Sequence, residues 1–106
     1  MISFQDFQKL DLRIGEIASA EKIEGTDKLI KMNIDFGSEQ RQIIAAIAEV
    51  YSPEDLVGKE TPVLLNLEPR KIRGIESQGM ILAVDVAGKP VLLHPDRDVP
   101  PGSTIR

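Results

Sequence analysis

The chain has 106 residues, of which 42% are hydrophobic and 28% charged, the composition of one globular domain. It contains no cysteine, which excludes disulfides, a thiolate nucleophile and a cysteine-ligated zinc site. Its formal net charge of -4 argues against non-specific coating of nucleic acid, because phosphate binding depends on accumulated positive charge. A chain this small buries a low fraction of its surface, so self-association would stabilise it.

The N-terminal sequence lacks the basic stretch and the apolar core of a signal peptide. No later apolar run approaches the roughly 20 residues of a membrane span. We therefore expect a cytoplasmic protein that makes no contact with a membrane.

A short helix opens the chain. Ser3 is a favourable N-cap residue, and the acidic Asp6 complements the positive end of the helix dipole. The pattern predicts a helix over about residues 4 to 10. From Leu12 the apolar residues alternate until Gly15 breaks the phase, which is typical of a bulged or bent first strand.

Two further strands and a helical turn follow. Residues 30 to 36 alternate between apolar and polar, and the apolar run from 42 to 48 is typical of a strand covered on both faces. The pair Ser52-Pro53 then combines an N-cap residue with proline at the first helical position, and Gly58 stands where such a helix ends. The sequence therefore predicts one short helix after the third strand.

The second half contains two strong strand candidates, residues 61 to 67 and 80 to 86, and a short apolar run at 91 to 93. The proline-containing tail from 94 to 106 is predicted to be extended and irregular. Five strands with a short helix between the third and the fourth match an OB-fold, a partly open all-β barrel that commonly binds oligonucleotides. Residues 1 to 106 are predicted to form one such domain.

Catalytic and metal-binding groups are sparse. His94 is the only histidine, which excludes a two-histidine metal site within one chain, and the phosphate-loop and dinucleotide motifs are absent. Ser77, His94 and Asp96 are the one triad that can be drawn, although Ser77 lacks the spacing of a nucleophile turn. The alternative is a loop serine and, separately, a surface histidine beside a proline. We expect no catalytic residue, no metal and no cofactor.

One segment is cationic although the chain as a whole is acidic. Arg70, Lys71 and Arg73 place three cations in four positions, in a predicted loop directly after a strand. Arginine offers a planar fork to phosphate and lysine a mobile point charge, so this mixture suits a ribose-phosphate backbone. The alternative is a solvated loop whose charges are partly balanced by Glu68 and Glu76.

Aromatic residues are few, which limits the mode of nucleic-acid binding. Phe4 and Phe7 are assigned to packing of the N-terminal helix, and Phe36 shares the core face of the second strand. Only Tyr51 remains, whereas binding of single strands by base stacking needs exposed rings. The sequence thus favours recognition of a folded RNA by its shape and backbone.

Five segments in a fixed order carry a further pattern. They are residues 11–17 (DLRIGEI), 26–29 (TDKL), 41–43 (RQI), 53–59 (PEDLVGK) and 66–80 (NLEPRKIRGIESQGM). Together they resemble the tRNA-binding domain found at the C-terminus of methionyl-tRNA synthetases, in free-standing structure-specific tRNA-binding proteins and in synthetase-associated cytokine precursors of animals. The last segment is the most specific.

The resemblance implies a non-catalytic module that binds tRNA largely without regard to its sequence, joined in cis or in trans to the catalytic region of a methionyl-tRNA synthetase. It also implies an OB-fold with N- and C-terminal extensions that pair two subunits. The positions that match the RNA-facing pattern are Arg13, Lys28, Gln42, Asn66, Arg70, Lys71, Arg73, Ser77 and Met80.

The implied roles of these positions differ. Arg13, Lys71 and Arg73 are expected to contact phosphate. The polar residues among them are expected to bond ribose hydroxyls or base edges, with a buried structural role as the alternative, and Met80 has a core position as its alternative. Two other functions stay open: a chaperone-like dimer with an apolar peptide groove, and a small hydrolase that uses Ser77.

We also predict a symmetric homodimer built from the N-terminal helix and the region after about Val84. A five-stranded barrel needs only residues 11 to 86, so the apolar residues 91 to 93 beyond it require a cover. Pairing them across a two-fold axis would also protect an exposed strand edge. The tail is expected to lie across the partner, and folding back over its own barrel is the alternative.

Overall fold

A computed structural model describes the whole chain, from Met1 to Arg106, as two short helices and nine strands. The helices are α1 (Phe4–Gln8) and α2 (Pro53–Leu56), and the strands are β1 (Leu12–Lys22), β2 (Ile30–Asp35), β3 (Gln40–Ala45), β4 (Glu60–Leu64), β5 (Arg70–Ile72), β6 (Ile75–Ser77), β7 (Met80–Ile81), β8 (Ala83–Val86) and β9 (Lys89–Leu92). Neither helix has the length and apolar character that crossing a membrane requires.

Five antiparallel strands, in the order β3-β2-β1-β4-β7, form a nearly closed barrel. The long strand β1 pairs with β4 through its first half and with β2 through its second half. Helix α2 lies between β3 and β4. The predicted fold class, an all-β OB-type barrel with short helices, is therefore confirmed.

Alternating apolar side chains from these strands fill the barrel. Ile17, Ile30, Ile34, Ile43 and Val63 are all fully buried and belong to a single cluster. The period-two pattern that predicted β2 corresponds to this cluster, because every second residue of β2 is buried.

The first strand is bulged, although not at Gly15 as its sequence suggested. The pairing register skips Ala18 between Ile17 and Ser19, so Ala18 is the extra residue. Gly15 serves packing instead, since a Cβ atom there would lie 2.6 Å from Cε1 of Phe36. Gly15, which breaks the hydrophobic alternation, thus lies three positions before Ala18, which interrupts the hydrogen-bonded pairing with β2.

The strand predicted over residues 80 to 86 is wrong as a single element. β7 pairs with β4 in the barrel, whereas β8 pairs with β9 in a separate two-stranded hairpin. The chain changes sheet at Leu82, whose amide donates to the carbonyl oxygen of Pro62 at 3.1 Å. The predicted third strand is also misplaced, because β3 runs from Gln40 to Ala45 and ends before residue 48.

The β8–β9 hairpin corrects one part of the predicted dimer contact. Leu92 faces its own barrel, where it is 7% exposed, and its amide donates to the hydroxyl of Tyr51 at 3.1 Å. It therefore needs no partner to cover it. Val84 and Val91 are paired on the opposite face of the hairpin and remain exposed.

The tail pairs with the barrel of its own chain. The amide of Ile14 donates to Ser103 O at 2.9 Å, Gly102 N donates to Ile14 O at 2.7 Å, and Ile105 N donates to Leu12 O at 2.8 Å. The expectation that the tail lies across a partner is wrong for these residues. The alternative is found instead. The first residues of β1 pair with β4 on one edge only, and the extended tail satisfies the backbone groups on the other edge.

Replacing Gly102 by alanine is predicted to destabilise the chain more than the same change at Gly88. Both glycines have positive φ, +92° and +83°, so alanine costs each about 1–2 kcal/mol in backbone strain. A Cβ at Gly102 would also overlap the carbonyl oxygen of Phe36, whereas nothing lies near Gly88. We expect a further loss of about 1–3 kcal/mol at Gly102, measured by urea denaturation. Equal losses would contradict the packing of the tail described above.

Candidate nucleic-acid interface

The cationic segment predicted as a loop is a β-hairpin. β5 pairs with β6, and the two residues between them, Arg73 and Gly74, have φ values of 54° and 77°. Positive φ at both positions is characteristic of tight two-residue hairpin turns. Arg70, Lys71 and Arg73 therefore stand on a defined element, and the loop prediction is wrong.

Side chains close the barrel between β3 and the segment that follows this hairpin. The hydroxyl of Ser77 accepts from Ile44 N at 3.0 Å and donates to Gly79 O at 3.1 Å. Gln78 N donates to Gln42 O at 2.8 Å, and the Gln78 side chain accepts from Gln42 N at 3.1 Å. We call this junction, between β3 and residues 76–79, the seam.

Two longer side chains strengthen the seam. Gln42 Nε2 donates to Glu76 O at 2.8 Å. Arg41 donates from one guanidinium nitrogen to Leu65 O at 2.7 Å and to Gln78 O at 3.2 Å. Arg41 was absent from the predicted positions, although it lies in one of the five family-like segments. Its role is to tie β3 to both ends of the β4–β7 connection.

The structure places Ser77 inside the molecule. Its residue is 2% exposed, and its hydroxyl both accepts and donates within the seam. The other members of the possible triad have separate partners: His94 Nδ1 donates to Glu60 O at 2.7 Å, and Asp96 forms an ion pair with Arg97. No hydrogen bond joins the three residues, so the geometry does not favour the hydrolase hypothesis.

Asn66 and Arg13 meet at the junction of α1 and β1. Asn66 Oδ1 accepts from Asp11 N at 2.8 Å, and its Nδ2 donates to Lys9 O at 2.6 Å. Arg13 Nε donates to the carboxylate of Asp11 at 2.9 Å. Both polar groups of Asn66 thus bond the backbone and anchor the N-terminal segment to the end of β4.

The remaining predicted positions are accessible. Arg70, Lys71 and Arg73 take part in none of the ion pairs of the molecule. Lys28 is exposed in the β1–β2 connection, 3.9 Å from a carboxylate oxygen of Glu49. Met80 is partly exposed at the start of β7. The two connections that flank the binding face of OB-folds, after the first strand and before the last, therefore both carry cations.

Two adjoining depressions lie along β1 and β2, one of them reaching β3 and the other reaching the β5–β6 hairpin. One, of about 350 Å³, is lined by Ser19, Ala20, Glu21, Lys31, Met32, Asn33 and Gln42. The other, of about 450 Å³, is lined by Glu21, Lys22, Ile23, Glu24, Lys31, Arg73 and Ile75. They share Glu21 and Lys31, and we call the two together the trough.

The trough contains polar residues that the sequence reasoning missed. Lys31 and Asn33 occupy the polar positions of β2, where alternation with buried neighbours was visible but indicated only a solvated face. Asn33 donates to the Gln40 side chain at 2.6 Å. Because Arg73 at the tip of the hairpin lines the same trough, these residues and the cationic element form a continuous surface.

A small OB-type barrel with a polar trough beside an exposed cationic hairpin belongs to the class of oligonucleotide-binding domains. The family model described as "Putative tRNA binding domain" matches residues 12–104, and the chain belongs to this family. The resemblance drawn from the five segments is confirmed.

The proteins that are similar to this chain differ widely in length. The methionine–tRNA ligase of Archaeoglobus fulgidus is 56% identical over 98% of this chain, which spans 16% of that ligase. The MetRS-related protein of Pyrococcus horikoshii is 38% identical, with a TM-score of 0.95 over 100% of this chain and 98% of that one. The chaperone CsaA of Bacillus anthracis is also 38% identical, with a TM-score of 0.91 over 100% and 99%.

Ser77→Ala is predicted to destabilise the chain by about 1–3 kcal/mol, because the buried amide of Ile44 would lose its acceptor. Chemical denaturation measures this loss. Ser38→Ala, in an exposed turn where the hydroxyl makes no bond, provides the matched control and should change stability by less than about 0.5 kcal/mol. Equal stability of the two variants would show that the seam does not depend on Ser77.

Proposed function

We propose that this chain binds tRNA through the β5–β6 hairpin and the trough, and that it catalyses no reaction of its own. One observation carries the proposal: three cations without ion-pair partners stand together on a β-hairpin at the edge of a polar trough, in a chain with a net charge of -4. A local patch of this kind supplies phosphate affinity that the molecule as a whole lacks.

The mode of recognition follows from the residues in the trough. It holds hydroxyl, amide and charged side chains and no aromatic ring, so stacking of unpaired bases has no platform. Amides and hydroxyls suit the ribose 2′-hydroxyls that an A-form helix displays in its shallow minor groove. We therefore propose contact with folded RNA by shape and backbone, with little dependence on base sequence.

The predicted site residues divide into two groups. Arg70, Lys71 and Arg73 contact phosphate. Lys28 and Arg13 add positive charge outside the hairpin. Gln42, Asn66 and Ser77 position the hairpin and the barrel through the backbone bonds described above, and Met80 lies beside them at the end of the seam. Within the first group the hairpin cations should matter most, because none of them forms an ion pair, although Glu76 lies opposite Lys71 in the β5–β6 register.

We further propose that the domain adds tRNA affinity to the catalytic region of a methionyl-tRNA synthetase in the cytoplasm. The 56% identity to a segment of an archaeal methionine–tRNA ligase supports attachment in cis. The likeness to a MetRS-related protein of about this size supports association in trans. Both arrangements use the same RNA-facing surface.

The double substitution of Lys71 and Arg73 by alanine is predicted to weaken binding to many tRNAs alike. Each lost phosphate contact should lower the slope of log affinity against log salt by roughly 0.7 to 1. Filter-binding titration with bulk tRNA at several salt concentrations measures both effects.

Lys89→Ala provides the matched control for this experiment. Lys89 is also an exposed cation without an ion pair, and it also belongs to a two-stranded hairpin, but it lies on β9 away from the trough. Its loss should leave affinity and salt slope near those of the wild type. Unchanged affinity in the Lys71 and Arg73 variant, with the fold intact by circular dichroism, would refute the assignment of the hairpin.

We also propose a symmetric homodimer. Phe4 is 71% exposed on α1, a helix that begins with a capping box between Ser3 and Asp6. A mainly apolar groove of about 430 Å³ between α1 and the tail is lined by Phe4, Phe7, Gln8, Leu10, Thr104, Ile105 and Arg106. The outer face of β8–β9 adds the exposed side chains of Val84, Val86 and Val91. A two-fold contact would cover such surfaces.

The capping box of α1 depends on the charge of Asp6. The hydrogen bond from Lys9 and the bonds from Ser3 hold the pKa of Asp6 below its ordinary value of 3.8. A lowered pKa in the folded state means that the carboxylate stabilises α1 above the unfolded-state pKa and loses this contribution as pH falls through the folded-state value. Neutral pH therefore leaves α1 fully capped.

Val84→Asp is predicted to convert the dimer into a monomer of 11.7 kDa, because it places a charge within the proposed contact. Sedimentation equilibrium at micromolar concentration measures the mass. Val57→Asp is the matched control, since Val57 is 51% exposed against 44% for Val84 but lies at the end of α2. A wild-type monomer that still binds tRNA would refute the dimer.

The second candidate function is binding of an apolar peptide. The 38% identity to the chaperone CsaA and the apolar groove beside α1 favour it. Retention of an unfolded peptide by the chain, together with no tRNA binding at low salt, would support this function over the first. Competition between peptide and tRNA would show that the peptide binds at the tRNA-binding surface and not in the groove beside α1.

A further inference from the structure

We infer that the ion pair between Glu21 and Lys31 lowers the affinity of the trough for tRNA, an inference that rests on the proposed function. Lys31 Nζ lies 2.8 Å from Glu21 Oε1, and the two residues are directly opposite each other in the β1–β2 register. Both side chains line both depressions, so the pair stands where the depressions meet. The strand register holds Glu21 at this point.

Lys31 differs from the other cations of the trough. The second depression is lined by Lys22, Lys31 and Arg73, and of these three only Lys31 has a carboxylate partner. Lys22 and Arg73 are exposed and unpaired on its walls. The trough therefore contains two cations that are free to meet phosphate and one that is neutralised between them.

A phosphate that binds Lys31 must displace Glu21 from it and then lie close to the Glu21 carboxylate. The first requirement costs the free energy of the ion pair, which is modest because exposed ion pairs are weak in water. The second is a smaller cost, because the Glu21 side chain is 66% exposed and solvent and salt screen its like-charge repulsion. Glu21 thus acts on RNA through Lys31 and through its own charge, and it sets an upper limit on affinity without blocking the trough.

Removing the carboxylate tests the inference. Glu21→Gln is expected to raise the affinity for bulk tRNA roughly threefold to tenfold at moderate salt, from the size of exposed charge interactions. Glu21→Asp keeps the charge and should stay near the wild type. Glu24→Gln is the matched control: it removes the same charge from the same depression, but Glu24 has no ion pair, so its gain should be smaller.

A double-mutant cycle separates the ion pair from a general charge effect. Lys31→Gln should weaken tRNA binding. In that variant, the further substitution Glu21→Gln should raise the affinity much less than it does in the wild type, because there is no lysine to release. A full gain from Glu21→Gln without Lys31, or an equal gain from Glu24→Gln, would overturn the role of the pair. Thermal melts of each variant verify that the barrel is folded.

The outcomes also distinguish this inference from the proposed function. If Glu21→Gln leaves affinity unchanged while the Lys71 and Arg73 double variant loses it, the ion pair has no such role and the hairpin assignment stands. If the wild-type chain does not bind tRNA, both are wrong. If Glu21→Gln raises affinity and Lys31 is required for the gain, the trough is part of the tRNA-binding surface.

Discussion

The barrel depends on a seam that backbone pairing does not complete. Between β3 and residues 76–79, closure relies on the Ser77 hydroxyl, the Gln42 and Gln78 side chains and the guanidinium of Arg41. Each such bond contributes about 0.5–1.5 kcal/mol net to stability. Removing the buried Ser77 hydroxyl costs more than this, because it leaves a buried amide without an acceptor. The same bonds fix the base of the β5–β6 hairpin. The position of the hairpin cations therefore depends on closure of the barrel.

This arrangement explains how an acidic chain can present a site for a polyanion. Many of its cations are paired with carboxylates, for example Lys9 with Asp6 and Arg41 with Glu39, whereas the hairpin cations are not. At physiological salt the field of exposed charges decays over about 8 Å, so distant carboxylates do little at the hairpin. They still oppose a polyanion on the other faces, which supports an approach of RNA to the proposed surface.

The sequence predicted the parts of the fold that local rules govern. The period of two in β2 and the Ser3–Asp6 cap both follow from neighbouring residues. The split at Leu82 could not be predicted, because apolar alternation continues while the hydrogen-bond partner changes from β4 to β9. The β5–β6 hairpin has strands of three residues, too short for any periodicity. At the site, the hairpin cations were visible as a cluster, whereas the trough contains residues of four strands, β1, β2, β3 and β6, that are distant in the sequence.

Ser77 and Asn66 show why a binding motif read from sequence mixes two roles. A hydroxyl or an amide that can bond RNA can equally bond a backbone amide, and the sequence does not say which is nearer. Stability separates them. A domain stable by about 5–15 kcal/mol that loses 1–3 kcal/mol stays almost wholly folded. A loss of RNA affinity on removing the Ser77 hydroxyl would therefore reflect displacement of the hairpin relative to the trough, since global unfolding would be too rare to account for it and the buried hydroxyl does not reach the surface.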